Sequence, residues 1–316
     1  MTSAGRKRIL LIADGSDQAL NVVQYASGLL PGDLTEVVLF NMGTGYPEVF
    51  RKIDNFGPHA RSAGIGATGQ SAENYLEMTE FRAKAADMLT RSGFSDSAIS
   101  VRTQVKKTGL IKDIIQESYR GYSAILVGRT GISRLKYLIF GSIAQKLAER
   151  VRHIPTVIVG GIPKSQTLLI ALDDSMEAMR GVGAVAALAG PGDPQIILCG
   201  CLDPAGIAGD NGAEHHAAGG ETDWIQYHSD RLKPMMDEAS RRLAAGGVSK
   251  GNISRQFARI NGNAIGSIIE AFKAGGFGTI VVGHRDAIGF THEQLRGRVS
   301  EKILRSLDHM AVWVVS

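Results

Sequence analysis

Residues able to hold an anion gather in one stretch, "GRTGISRLKYLIFGS", from Gly128 to Ser142. Gly128 and Gly131 stand three apart, nine residues intervene, and Gly141-Ser142 opens the helical pattern "IAQKLAERV". Glycine allows a tight turn and a close approach of backbone to a ligand. At Gly141 the first N–H groups of a helix lack intrahelical partners. Together with the helix dipole they form a cradle for phosphate, to which Ser142 adds a hydroxyl. The insert carries Arg134 and Lys136, which can screen phosphate charge. The same residues also describe a glycine-bearing turn with a serine cap, and taken alone they leave both readings open.

A carboxylate comes next. Asp14 ends the apolar run Ile9 to Ala13 and precedes Gly15-Ser16. There it can either meet a ligand or cap the helix that follows. Other patterns carry less. "GIGATG", Gly64 to Gly69, spells Gly-x-Gly-x-x-Gly, but a polar loop precedes it where the dinucleotide fingerprint needs a strand. There is no Gly-x4-Gly-Lys-Ser/Thr, which argues against a P-loop ATPase. His215, His216, His228 and Glu214 do not have the spacing of a standard ligand set and read as a solvated loop. Cys199 and Cys201 alternate within "IILCGCL" and read as small buried strand residues rather than a redox or metal pair. The eight histidines are scattered and announce no catalytic triad.

The elements that must position Asp14 and the glycines follow from the rest of the chain. Its 316 residues suit two domains, and 44% apolar with 21% charged residues is a globular balance. The net charge of +4 is mild and dispersed, and with only 6% aromatics neither a nucleic-acid groove nor a base-stacking platform is expected. The run Ile9 to Ala13 is too short for a signal-peptide core and no run reaches membrane-spanning length, so the expectation is a soluble cytoplasmic protein with no membrane partner.

The chain repeats itself. "RILLIADGSDQALNVVQYASGLL" from Arg8 matches "TLLIALDDSMEAMRGVGAVAALA" from Thr167, each an apolar run, an Asp-x-Ser and an amphipathic helix that the serine would cap. Later runs match too: "EVVLFNM" with "QIILCGC", "ISVRTQV" with "ISRQFAR", "AILVGRT" with "TIVVGHR" and "PTVIVG" with "AVWVVS". Asp14 and Asp173 are 159 apart, Gly128 and Gly283 155, and Gly141 and Gly297 156, which points to a duplication. The boundary falls in the Gly/Pro/polar linker Gly160 to Gln166, dividing the chain into residues 1–160 and 161–316. Each half alternates short apolar runs with helices. That pattern gives an α/β fold of two tandem Rossmann-like doubly wound domains, each a five-stranded mainly parallel sheet flanked by helices. Ligands of such sheets bind beyond the carboxyl ends of strands where the strand order reverses, which brings Asp14 and Gly128 towards one crevice.

The spacing Gly128-x2-Gly131-x9-Gly141-Ser142, with Asp14-Gly15-Ser16 at the first strand end and the closing "GSIAQKLAERVRHIPTVIVG", resembles the ATP-binding universal stress proteins over nearly the whole chain. The resemblance implies ATP with Mg2+ as the ligand. It implies adenosine contacts at Ala13 and Asp14 and an apolar adenine contact at Met42. Gly128, Arg129 and Gly131 would line ribose and phosphate, and Gly141, Ser142 and the N–H of Ile143 would hold the phosphates. It implies dimers built through last strands, here supplied by "TVIVG" and "VWVVS" as a pseudo-dimer within one chain, with a homodimer as a further arrangement. Its role would be a nucleotide-dependent regulatory or stress-response protein. The alternatives are a weak ATPase or phosphoryl or adenylyl transferase, and a protein-interaction module with a vestigial site. No general base beyond Asp14 supports an enzyme.

The second copy departs from the motif. "GHRDAIGFTHEQLRGRVS" keeps Gly283 and Gly297, but Asp286 replaces the second glycine, Arg298 replaces the serine and the gap is one residue longer. A carboxylate at Asp286 repels phosphate. The expectation is therefore one binding half, with Asp173 a cap or hinge-side residue.

Overall fold

A computed structural model of the chain describes residues 5–43, 69–105, 107–129, 142–202, 220–259, 270, 272, 274–283 and 309–316. Among the described residues the apolar runs form ten strands: β1 Lys7–Ala13, β2 Thr35–Gly43, β3 Ile99–Val105, β4 Ala124–Gly128, β5 Thr156–Val159, β6 Leu168–Leu172, β7 Ile196–Leu202, β8 Ile253–Arg259, β9 Thr279–Gly283 and β10 Ala311–Val315. Between them lie α1 Asp17–Leu29, α2 Gly69–Arg91, α3 Leu110–Ser118, α4 Ser142–Arg150, α5 Met176–Leu188 and α6 Gly220–Ala245. The two long helices, α2 and α6, occupy the same place in their halves, each between the second and third strands.

The strands form one ten-stranded sheet in the order β3-β2-β1-β4-β5-β10-β9-β6-β7-β8. Within each half the pairing is parallel, and the order reverses between the first and fourth strands of that half. This is the doubly wound, Rossmann-like topology, present twice. Ladder registers repeat as well: Ile9 faces Val37 and Ala124, while Leu168 faces Ile196 and Thr279. The central strands read as continuous apolar runs because both of their faces are covered. Along β1, Ile9, Leu11 and Ala13 enter one core with α1, α2, α5 and α6, and Leu10 and Ile12 enter the other with α3 and α4.

The two halves meet where β5 and β10 pair antiparallel, Thr156 with Val314 through Val159 with Ala311. A buried hydrogen-bonded trio crosses this seam. Trp313 Nε1 donates to the Tyr25 hydroxyl at 2.7 Å, which lies 3.0 Å from Thr279 Oγ1. Burial pushes the Tyr25 phenol well above its ordinary value, against the pull of its two hydrogen bonds.

The copies share backbone more closely than side chains. In the first half Glu117 is buried. It accepts from the Tyr122 hydroxyl at 2.9 Å and pairs with Arg102 at 2.9 Å and Arg120 at 3.2 Å. Burial, with the neighbouring Glu117 carboxylate, pushes Tyr122 up to about 12. The 155-residue offset that relates Ala124 to Thr279 maps Glu117 and Tyr122 onto Phe272 and Phe277, which meet edge to face at 5.7 Å. A buried carboxylate that loses its charge leaves its donors poorly matched. Arg102 and Arg120 can turn towards water, whereas Tyr122 cannot. Glu117→Gln should therefore cost about 2 kcal/mol, the scale of a hydrogen bond to a charged group, read as a lower urea midpoint with unchanged slope.

Candidate functional site

The site is built where β1 and β4 lie side by side, about 4.8 Å apart, and their continuations diverge. Leu11 faces Leu126, so Ala13 and Gly128 stand level, each two residues further along its strand. Ala13 is buried and its backbone pairs with Asn41 of β2. Asp14 follows, half-buried, with Oδ1 accepting from the Ser16 N–H at 3.0 Å and the Ser16 hydroxyl at 2.5 Å. Ser16 in turn caps α1, its Oγ accepting from the Ala19 N–H at 3.2 Å. Gly15, between them, has φ +82°, a left-handed conformation natural to glycine. Asp14 thus sits at the crevice and organises the start of α1 at the same time.

Met42 is the penultimate residue of β2, next to Asn41, half-buried against the core that also receives Ile143 from the first turn of α4. Gly128 ends β4, and the Arg129 N–H donates to the Val159 carbonyl at 2.9 Å, holding the exit of β4 to β5. Ser142 is the first residue of α4. Gly131, Gly141, Arg134 and Lys136 lie outside the described residues, as do the earlier glycines of "GIGATG", the pair His215 and His216, and Asp286, Gly297 and Arg298 of the second copy. Among the described residues no group of three or more His, Cys, Asp or Glu side chains is placed to hold a metal ion, and no helix is long and apolar enough to cross a membrane.

One carboxylate at this end of the sheet escaped the sequence reading. Asp113, in the first turns of α3, is buried and folds the β3–α3 loop over itself. It accepts from the N–H groups of Lys107 at 2.9 Å, Thr108 at 3.1 Å and Gly109 at 3.3 Å, and from the Thr108 hydroxyl at 2.6 Å. Burial pushes its pKa up, but these donors outweigh burial and hold it at about 2. The available signal was Thr108-Gly109 just ahead of a helix with an aspartate in its first turns, which passes for an exposed polar position in "LIKDII".

The second half reproduces the frame and fills it differently. Asp173 Oδ1 accepts from the Ser175 N–H at 3.0 Å and from its hydroxyl, and Ser175 Oγ caps α5 through the Ala178 N–H at 3.1 Å. The cap of α5 is therefore Ser175, and Asp173 braces that cap rather than capping the helix itself. Asp174 stands where Gly15 does and is not among the left-handed residues, so the two turns differ. Gly283 is retained for packing: a Cβ there would lie 2.6 Å from the Ala178 nitrogen in the first turn of α5. In the first half the register aligns Ala13, Asn41 and Thr103, with Arg82 donating to the Thr103 hydroxyl at 3.1 Å. In the second it aligns Leu172, Gly200 and Phe257, and a Cβ on Gly200 would lie 2.7 Å from the Phe257 ring and 2.8 Å from Met236. A polar strand end under α2 is thus apolar and filled under α6.

No protein-family model and no curated protein matches the chain. Solved structures do. A universal stress protein from Archaeoglobus fulgidus is 18% identical with a TM-score of 0.58, covering 98% of this chain and 98% of that one. A Pseudomonas aeruginosa protein, itself only assigned to the universal stress proteins, is 16% identical with a TM-score of 0.51 and covers 98% of this chain and 93% of its own. The fold is therefore shared with universal stress proteins along the whole length of the chain.

Two outcomes test the roles assigned to these side chains. Ser16→Ala should lower stability by about 1 kcal/mol, the usual cost of losing a helix cap, read by thermal unfolding. Because Asp113 titrates below its ordinary value of 3.8, its stabilisation is complete above that pH and is lost as pH falls towards about 2. Asp113→Asn should lower stability at neutral pH and flatten the acid limb between about pH 4 and 2, measured by unfolding across that range.

Proposed function

We propose that the amino-terminal unit, residues 1–160, binds ATP together with Mg2+ and that the chain acts as a nucleotide-dependent regulatory protein of the stress response. The observation that carries this reading is the union of an intact spacing, Gly128-x2-Gly131-x9-Gly141-Ser142, with its position. It leaves the end of β4 beside Asp14 and returns at the first residue of α4. A helix N-terminus offers phosphates unpaired N–H groups and a favourable dipole. In this reading Asp14 and Ala13 contact the adenosine, Met42 packs on the adenine, and Gly128, Arg129 and Gly131 line ribose and phosphate. Gly141, Ser142 and the Ile143 N–H hold the phosphates. Mg2+ would arrive with the triphosphate, bound largely by phosphate oxygens and water, as suits this ion.

The carboxyl-terminal unit, residues 161–316, is in the same reading a partner without a nucleotide. Its altered glycine motif and the Phe257 and Met236 side chains over Gly200 support that assignment.

Isothermal titration calorimetry should find one Mg-ATP per chain, and Gly131→Asp should abolish the binding. At a hundredfold excess over Kd the ligand should add about 2.7 kcal/mol to stability, visible as a higher Tm absent from Gly131→Asp. Two equivalent sites per chain would refute the division between the halves. No heat and no shift in Tm would refute the nucleotide reading.

A further inference from the structure

We propose that α1 couples the first crevice to the seam between the two halves, so that a ligand at Asp14 is sensed at Trp313. This inference rests on the nucleotide reading and adds a route of regulation to it. The helix begins at the crevice: Asp14 holds Ser16, and Ser16 caps α1. Nine residues later, about 13 Å along the axis, Tyr25 on the same helix leaves its own half. Its hydroxyl accepts from Trp313 Nε1 at 2.7 Å and lies 3.0 Å from Thr279 Oγ1, both in the second half. The far end of α1 rests on the second half as well. A Cβ on Gly28 would lie 3.3 Å from Gln166 Nε2, and one on Gly192 would lie 3.4 Å from the Leu29 carbonyl.

The link is one-sided. The offsets that relate the two copies place Ala184, Ala124 and Val157 where Tyr25, Thr279 and Trp313 stand, and none of those three side chains can form the polar trio. A packed helix moves as a unit, and its neighbours adopt discrete arrangements rather than yielding continuously. A ligand that re-aims the Asp14–Ser16 contact therefore displaces α1 against a hydrogen-bonded sensor at the seam, provided its affinity differs between the two positions of the helix.

The chain has two tryptophans, Trp224 and Trp313, so a Trp224→Phe background leaves Trp313 as the sole emitter. In that background, calorimetry measures Mg-ATP binding and fluorescence measures the Trp313 response. The expected result is a shift in Trp313 emission on binding, lost in Tyr25→Phe although calorimetry shows that ATP still binds. Thr279→Ala, which keeps the Tyr25–Trp313 bond and introduces the residue found at Ala124, should reduce the shift and serves if Tyr25→Phe does not fold. ATP binding with no Trp313 response in the parent, or an undiminished response in both variants, overturns the coupling and leaves the nucleotide reading standing. No binding in the parent overturns both.

Discussion

Four residue pairs, Thr156 with Val314 through Val159 with Ala311, join the last strands of two parallel arrays in opposite directions. Left alone, each would be an apolar edge with unpaired N–H and C=O groups, a template for association. Paired, Val157, Ile158, Val159, Ala311, Val312 and Trp313 are all buried. Side chains of the size of valine or isoleucine contribute about 1.5–3 kcal/mol each when fully buried. Both helix-covered cores run through this junction, with Val157 and Trp313 in one and Ile158 and Val312 in the other. The crevice at β1 and β4 is tied to this junction through β5, which lies between β4 and β10 in the sheet.

The two halves keep the same ladders and disagree about what fills them. Glu117 with Tyr122 answers to Phe272 with Phe277, and Asn41 with Thr103 answers to Gly200 with Phe257. Parallel strands fix the backbone frame through register and tolerate exchanges of polar for apolar groups when both partners change. A hydrogen-bonded pair and an aromatic pair are each self-consistent, whereas a mixture leaves a buried polar group unmatched. Gly283 belongs to the same logic: it survives in the second copy where α5 presses on β9, so its presence is explained by contact alone.

Much of the fold was legible because its signals are local. Continuous apolar runs such as "AILVG" and "TVIV" are strands buried on both faces, and Asp-x-Ser ahead of an amphipathic pattern marks the starts of α1 and α5. Tyr25 was not legible as a seam residue. The periodicity of α1 shows only that it faces inward, while Thr279 lies 254 residues away in sequence. Asp113 was missed for a related reason: its partners are backbone N–H groups, which no residue type announces. For the crevice, the sequence put Asp14 just past the first strand, Gly128 after the apolar run of β4 and Ser142 at the opening of a helix, and those positions agree with the element bounds, whereas Met42 lies inside β2. That Asp14 both stands at the crevice and holds Ser16 depends on the turn at Gly15, which no residue spacing specifies.

Because both sides of the seam belong to one polypeptide, dilution cannot separate them without unfolding part of the chain or stretching the linker. Two separate chains joined in the same way would come apart with falling concentration and would pay the entropy of association each time they met. Fusion has a second effect, on symmetry. In a two-fold dimer every substitution appears twice, so a tyrosine reaching across in one direction must also reach across in the other. Here Tyr25 meets Thr279 and Trp313 once, with Ala184 at its counterpart position. A single chain is thereby free to hold an asymmetric contact that a pair of identical subunits cannot hold.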